Sequence, residues 1–157
     1  MSGPKSVFAR LEQVLAGVSK PIQYVGGEHN SVSKNWNDVD VHWALMYPDA
    51  YEVGQPNQGV AILYEVLNEQ EWILAERTYS VWPDMEAVMR SERIEQFTLE
   101  NHLPVAAFDF LGISMSTELL SSAAATAPAT SPSEIRRILA PASRISRISL
   151  RWRSRSS

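Results

Sequence analysis

The chain changes character at residue 120, and that break limits how much of it can fold. Residues 1–119 hold seven Lys or Arg against 17 Asp or Glu; residues 120–157 hold seven Arg, no Lys and one acid, Glu134. The same 38 residues contain ten serines and seven alanines, in runs such as Ser121-Ser122-Ala123-Ala124-Ala125 and Arg151-Trp152-Arg153-Ser154-Arg155. A segment this polar and small-residue-rich buries too little apolar surface to offset the entropy of ordering it. Folding is therefore expected of residues 1–119, and residues 120–157 read as a low-complexity, disordered basic tail.

The rest of the composition excludes whole classes of function. At 157 residues and 45% hydrophobic, the chain suits one domain with a real core. No run approaches the roughly 20 apolar residues of a membrane span, and Met1 to Arg10 lacks the layout of a secretory signal, so a cytoplasmic, membrane-free protein is expected. There is no cysteine. That removes a disulfide scaffold, a thiolate zinc site, a cysteine nucleophile and a cysteine-ligated iron–sulfur cluster from this polypeptide.

Apolar periodicity predicts strands alternating with helices. Val7, Phe8, Leu11, Val14, Leu15 and Val18 form one stripe and predict a helix over residues 5–18, ended by Pro21. Gly26 to Asp40 reads as loop, completing a lead-in over residues 1–40. The near-continuous apolar run Val41–Tyr47 predicts a strand buried on both faces. A helix over about 57–69 follows, facing the core through Val60, Leu63, Val66 and Leu67. Further strands are expected at Ala75–Trp82 and Phe108–Met115, with a helix over Asp84–Arg93 and a short edge at Gln96–Leu99. The alternation predicts an α/β fold with a parallel, flavodoxin-like sheet over residues 41–119. Three strands are fewer than a doubly wound domain normally has, so the fold reads as incomplete. The weak apolar patch Ile135–Leu139 cannot replace the missing strands.

Open α/β sheets bind ligands beyond the carboxyl ends of their strands, at the point where strand order reverses. The walls there would be the Tyr47–Gly59 loop and the end of the third strand. Gly54 and Gly59 permit close backbone approach, Pro48 and Pro56 stiffen the loop, and the next helix start offers free N–H groups. The candidate contacts are Tyr47, Pro48, Asp49, Gly54, Asn57 and Gly59, with Ser114, Ser116 and Thr117 adding hydroxyls for an amide, ribose or phosphate. A tight turn and a helix cap explain the same residues equally well.

Three histidines, His29, His42 and His102, stand near Glu28, Asp38 and Asp40 without compact ligand spacing, so no metal site is assigned. Trp36, Trp43, Trp72 and Trp82 read as packing residues. Ser114 lies outside a Gly-x-Ser-x-Gly elbow, so no catalytic residue is assigned.

Several linear stretches carry a family likeness: Lys20 to Asn30, the Tyr47–Gly59 loop, Ala75-Glu76-Arg77-Thr78-Tyr79, Val81 to Glu86, and Gly112 to Leu119. Over about residues 4–119 the chain resembles the N-terminal part of a bacterial radical SAM family with a cobalamin (B12)-binding-like domain ahead of its catalytic barrel. The resemblance implies a 4Fe-4S cluster held by three cysteines, with S-adenosylmethionine at its fourth iron, in the full-length family. It also implies a radical SAM barrel as partner, over which this domain would position substrate or corrinoid. This chain has no cysteine for the cluster. The loop matching the family's cobalt-ligating Asp-x-His-x-x-Gly has Asp49 and Gly54 but no histidine. Cobalamin would bind without a protein imidazole, or the fold has lost the cofactor.

The likeness stops at Leu120-Ser121-Ser122-Ala123, where the family continues with a Gly-Tyr-Thr-Asn helix start. A shifted reading frame in a GC-rich gene yields Arg, Ser, Ala and Pro with hardly any Lys, and the tail has that composition. The expectation is thus a truncated, non-catalytic N-terminal fragment with an out-of-frame or degraded end. The alternative is a small interaction protein that binds nucleic acid through its Arg-rich tail, against which stands the strongly acidic body.

Overall fold

The sheet is parallel because the segments after its first two strands each cross back to start the next strand at the same end. The computed structural model describes residues 3–114. Strand β1 spans Val41–Ala50, β2 Ile73–Ser80 and β3 Phe110–Ile113, in the order β2-β1-β3 with every pairing parallel. This is the expected α/β class and the first half of a flavodoxin-like order. Helix α1 spans Phe8–Leu15, a single turn α2 Tyr51–Gly54, α3 Gln58–Asn68 and α4 Pro83–Ser91. The expected strand at Ala75–Trp82 lies two residues earlier, because Pro83 opens α4 and Trp82 serves as its N-cap.

Three hydrophobic clusters hold these elements. One joins Leu11 of α1 and the preceding N-cap residue Val7 to α4 (Met85, Met89) through Tyr24, Ile94 and Phe97. A second packs Leu45 and Ala75 under Tyr64 of α3, and a third gathers Tyr47, Val60, Tyr79 and Leu99. The expected stripe of α3 is rotated. Val60, Tyr64 and Asn68 are buried, while Leu63 and Val66 are 47% and 52% exposed. Two polar-capable residues displaced the apolar pair because each finds a partner inside. The Tyr64 hydroxyl accepts the Val32 N–H (2.7 Å), and Asn68 bonds both backbone groups of Ala75. Trp72 and Trp82 are likewise half-exposed rather than packed inside.

The two edges of the sheet differ. Along the outer edge of β2, the Ala75 N–H and carbonyl are taken by Asn68, and the Arg77 N–H by Glu100 Oε2 (2.7 Å). The Arg77 carbonyl receives Leu99 N–H (2.7 Å), the Tyr79 carbonyl Gln96 Nε2 (2.9 Å), and the Ile73 carbonyl Lys34 Nζ (2.6 Å). An edge strand with its polar groups satisfied cannot template further pairing. The expected edge strand Gln96–Leu99 is therefore a strap bound largely through side chains; its own bridge is Phe97 with Pro104. Among the described residues nothing pairs with the outer edge of β3, where Phe110 and Ile113 are 39% and 40% exposed.

Candidate functional site

The carboxyl end of the sheet is built from tyrosines. Tyr47 and Tyr79 are partners in the β1–β2 register and point to the α3 face. Beyond Tyr47 the register shifts up to Ala50, and Pro48, which has no N–H to donate, sits in that irregularity. The chain then turns through α2, which lays Tyr51 edge-on against Tyr79, with ring centroids 5.7 Å apart. Tyr79 donates its hydroxyl to Gln55 Oε1 (2.7 Å), and Gln55 Nε2 donates to Glu28 Oε2 (3.2 Å). Tyr51 donates to Glu28 Oε1 (2.5 Å). Burial, reinforced by Glu28, pushes the Tyr51 phenol up to about 12, so it remains a donor.

Glu28 reaches this network because Gly26 and Gly27 take positive φ (73° and 85°). A Cβ on Gly26 would lie 2.4 Å from the Leu99 carbonyl oxygen, so only glycine fits there. Two residues on, Asn30 Oδ1 accepts Arg77 Nη1 (3.2 Å). The Arg77 guanidinium is buried, lies 4.2 Å from the centroid of the Tyr64 ring, and bonds Glu100 Oε1 through Nε (2.6 Å). Burial raises the Glu100 carboxyl above the usual range, to about 7, against the pull of Arg77.

Outside the tyrosines lies a polar rim. Lys20 is paired with Glu52 and sits 3.9 Å from the centroid of the Trp82 ring, and Trp82 Nε1 donates to Glu52 Oε2 (3.3 Å). The Lys20 ammonium holds the Glu52 carboxyl down at about 2.

The predicted contacts separate here into different duties. Tyr47 and Pro48 are buried. Asp49 Oδ1 accepts the Ala50 N–H (2.7 Å). Asn57 is the N-cap of α3, its Oδ1 accepting the Val60 N–H (3.1 Å). Gly54 is packed beneath rings: a Cβ would meet Tyr79 Cδ1 at 2.4 Å and Tyr47 Cδ1 at 3.1 Å. Gly59 is exposed in the first turn of α3. Ser114 continues the β1–β3 pairing through its N–H to the Met46 carbonyl (2.9 Å). Ser116, Thr117 and the whole of residues 120–157 lie outside the described residues.

The residues that do converge, Glu28, Tyr51, Gln55, Tyr79, Arg77 and Glu100, were not among the predicted contacts, although Glu28 was weighed as a metal ligand and Arg77 and Tyr79 lie in a stretch that carries the family likeness. One signal was available: Glu76-Arg77 interrupts an apolar strand, and a charge in a buried strand requires a partner. His42 is occupied structurally, with Nδ1 2.8 Å from Asp109 Oδ2 and Nε2 3.0 Å from the Trp36 carbonyl. Among the described residues no group of His, Asp and Glu could hold a metal ion. No described helix is long and apolar enough to cross a membrane.

Residues 59–127 match the family model for radical SAM proteins, N-terminal. The matched interval runs through α3, β2, α4 and β3 and continues to residue 127, past the Leu119 at which the resemblance was drawn to end. No match was found among curated proteins or among solved structures. The chain is thus similar to a radical SAM N-terminal region over one continuous stretch that includes two of its three strands.

Proposed function

We propose that this chain is the N-terminal accessory region of a radical SAM protein, an α/β module without catalysis of its own that seats against the barrel bearing the cluster. The observation that carries this reading is the family match over residues 59–127 in a chain with no cysteine. A 4Fe-4S cluster needs thiolate ligands, so the residues of this chain do not fit one. Among the described residues the β2 edge is capped and the β3 edge has no partner, a contrast that fits a module whose sheet meets something further at β3.

We read the described domain, further, as keeping the shape of a corrinoid-binding fold without a seat for the corrin. Two observations support this. There is no histidine from Pro48 to Gly59, and Gly54 is filled over by Tyr79 and Tyr47.

The test uses the full chain under anaerobic conditions with ferrous iron, sulfide, reductant and S-adenosylmethionine. No cluster absorbance and no 5′-deoxyadenosine are expected, and a separately expressed, cysteine-bearing radical SAM barrel is expected to co-purify with the chain. Cleavage of S-adenosylmethionine by the chain alone would overturn the accessory reading. Saturable binding of hydroxocobalamin would overturn the corrin reading and leave the first intact.

A further inference from the structure

Two buried polar atoms without a partner share one cavity: Gln23 Oε1 and Ser80 Oγ. The cavity lies beyond the carboxyl end of β2, between the Pro21–Tyr24 turn, the Thr78–Val81 stretch and the Gln96–Leu99 strap. Gln23 is only 6% exposed, and its Oε1 is the atom left without a partner. A carboxamide oxygen only accepts, so an acceptor stands buried beside the cavity and unused.

The lining decides what could use it. No charged side chain borders the cavity. A phosphate, carboxylate or ammonium tip would lose its hydration there without gaining a counter-charge. The volume of about 20 Å³ admits one water-sized group. The group must donate to Gln23 Oε1, and Ser80 Oγ can serve it as acceptor or donor. A hydroxyl meets all of these conditions. Next in sequence to the lining residues Gln23 and Val81 stand Ile22, 77% exposed, and Trp82, 39% exposed. The Trp82 backbone N–H donates to the hydroxyl of Tyr24, a lining residue (3.2 Å), while the indole N–H turns to Glu52 Oε2 (3.3 Å).

We propose that this cavity is the seat for the hydroxyl tip of a neutral ligand whose apolar body rests on Ile22 and Trp82. A bound water has the same chemistry as a ligand hydroxyl, and the test separates the two. The isotope-labelled full chain is titrated with cyclohexanol and, separately, with cyclohexanecarboxylate, and followed by NMR. Cyclohexanol is expected to move the Gln23 side-chain amide and the Ser80 and Val81 backbone signals saturably, and the carboxylate to leave them in place. Ser80→Ala and Gln23→Met are each expected to weaken cyclohexanol binding by about threefold to tenfold, the loss of one net hydrogen bond. Circular dichroism checks that each variant folds; if Gln23→Met does not, Ser80→Ala decides alone. Three results would overturn the proposal: no saturable shift, binding indifferent to the substitutions or to the charge of the probe, or a water contact to Ser80 that persists at saturating cyclohexanol.

Discussion

Gly54 and Gly59 look equivalent in a loop read as a ligand cradle, and the structure predicts that alanine at these two positions acts in opposite directions. At Gly54 the new methyl would lie 2.4 Å from Tyr79 Cδ1 and 2.6 Å from Cε1, well inside contact distance. The ring has little room to retreat, since Tyr79 is 7% exposed, pairs with Tyr47 in the sheet and is tethered through its hydroxyl to Gln55. Overpacking of this kind costs about 1–3 kcal/mol, or a fall of roughly 4–15 °C in the midpoint of a domain this size. At Gly59 the new methyl would meet Asn57 Oδ1 at 3.2 Å, a half-buried side-chain atom that must give by a few tenths of an ångström while keeping its bond to the Val60 N–H. The site is exposed in a helix. Alanine there should gain about 0.5–1 kcal/mol from helix propensity and lower chain entropy, raising the midpoint by about 2–5 °C. Thermal and urea unfolding of the full chain, followed by circular dichroism and tryptophan fluorescence, measures both. Unchanged stability in Gly54→Ala would refute the packing argument. Equal destabilisation of both variants would refute the distinction between them.

Two further outcomes follow from the hydrogen bonds. Asn57→Ala should cost about 1 kcal/mol by uncapping α3, while Asn57→Ser should retain most of it; equal losses in chemical unfolding would argue against a capping role. Glu76 is fully buried, which raises its carboxyl above the ordinary range even though Asn101 and Thr98 donate to it. The folded state then keeps a proton that the unfolded chain releases near pH 4.3. This contribution is full below that value and is lost as pH rises through the raised folded value. Stability measured upward from about pH 4 should fall more steeply in the wild-type chain than in Glu76→Gln, and identical slopes would exclude Glu76 as the cause.

The sheet was legible because β1 is an apolar run with only one continuation, and the alternation with α3 and α4 leaves a parallel arrangement as the simplest closure. The stripe of α3 was misread because Leu63 and Val66 are the more hydrophobic pair, yet Tyr64 and Asn68 could satisfy their polar groups inside. The strap at Gln96–Leu99 was read as a strand for a related reason. Its pairing partners are largely side chains, and side-chain bonds to an edge leave no periodic trace in a sequence.

The candidate site divides along the same line. Linear spacing located the end of the sheet at Tyr47–Gly59, but not which of those residues are spent on local structure. Asn57 and Asp49 satisfy neighbouring N–H groups, and Gly54 makes room for a ring that lies 25 residues further along the chain.

Residue order alone determined the α/β class, the absence of any thiolate chemistry and the point where the acidic body gives way to the basic tail. These depend on composition and short-range periodicity, which any one segment displays by itself. Only the tertiary structure brought Glu28 to Tyr51, Arg77 to Glu100, and Gln23 to Ser80 across one cavity. Such meetings depend on which faces pack together and which buried polar groups find partners, and no single segment contains that information.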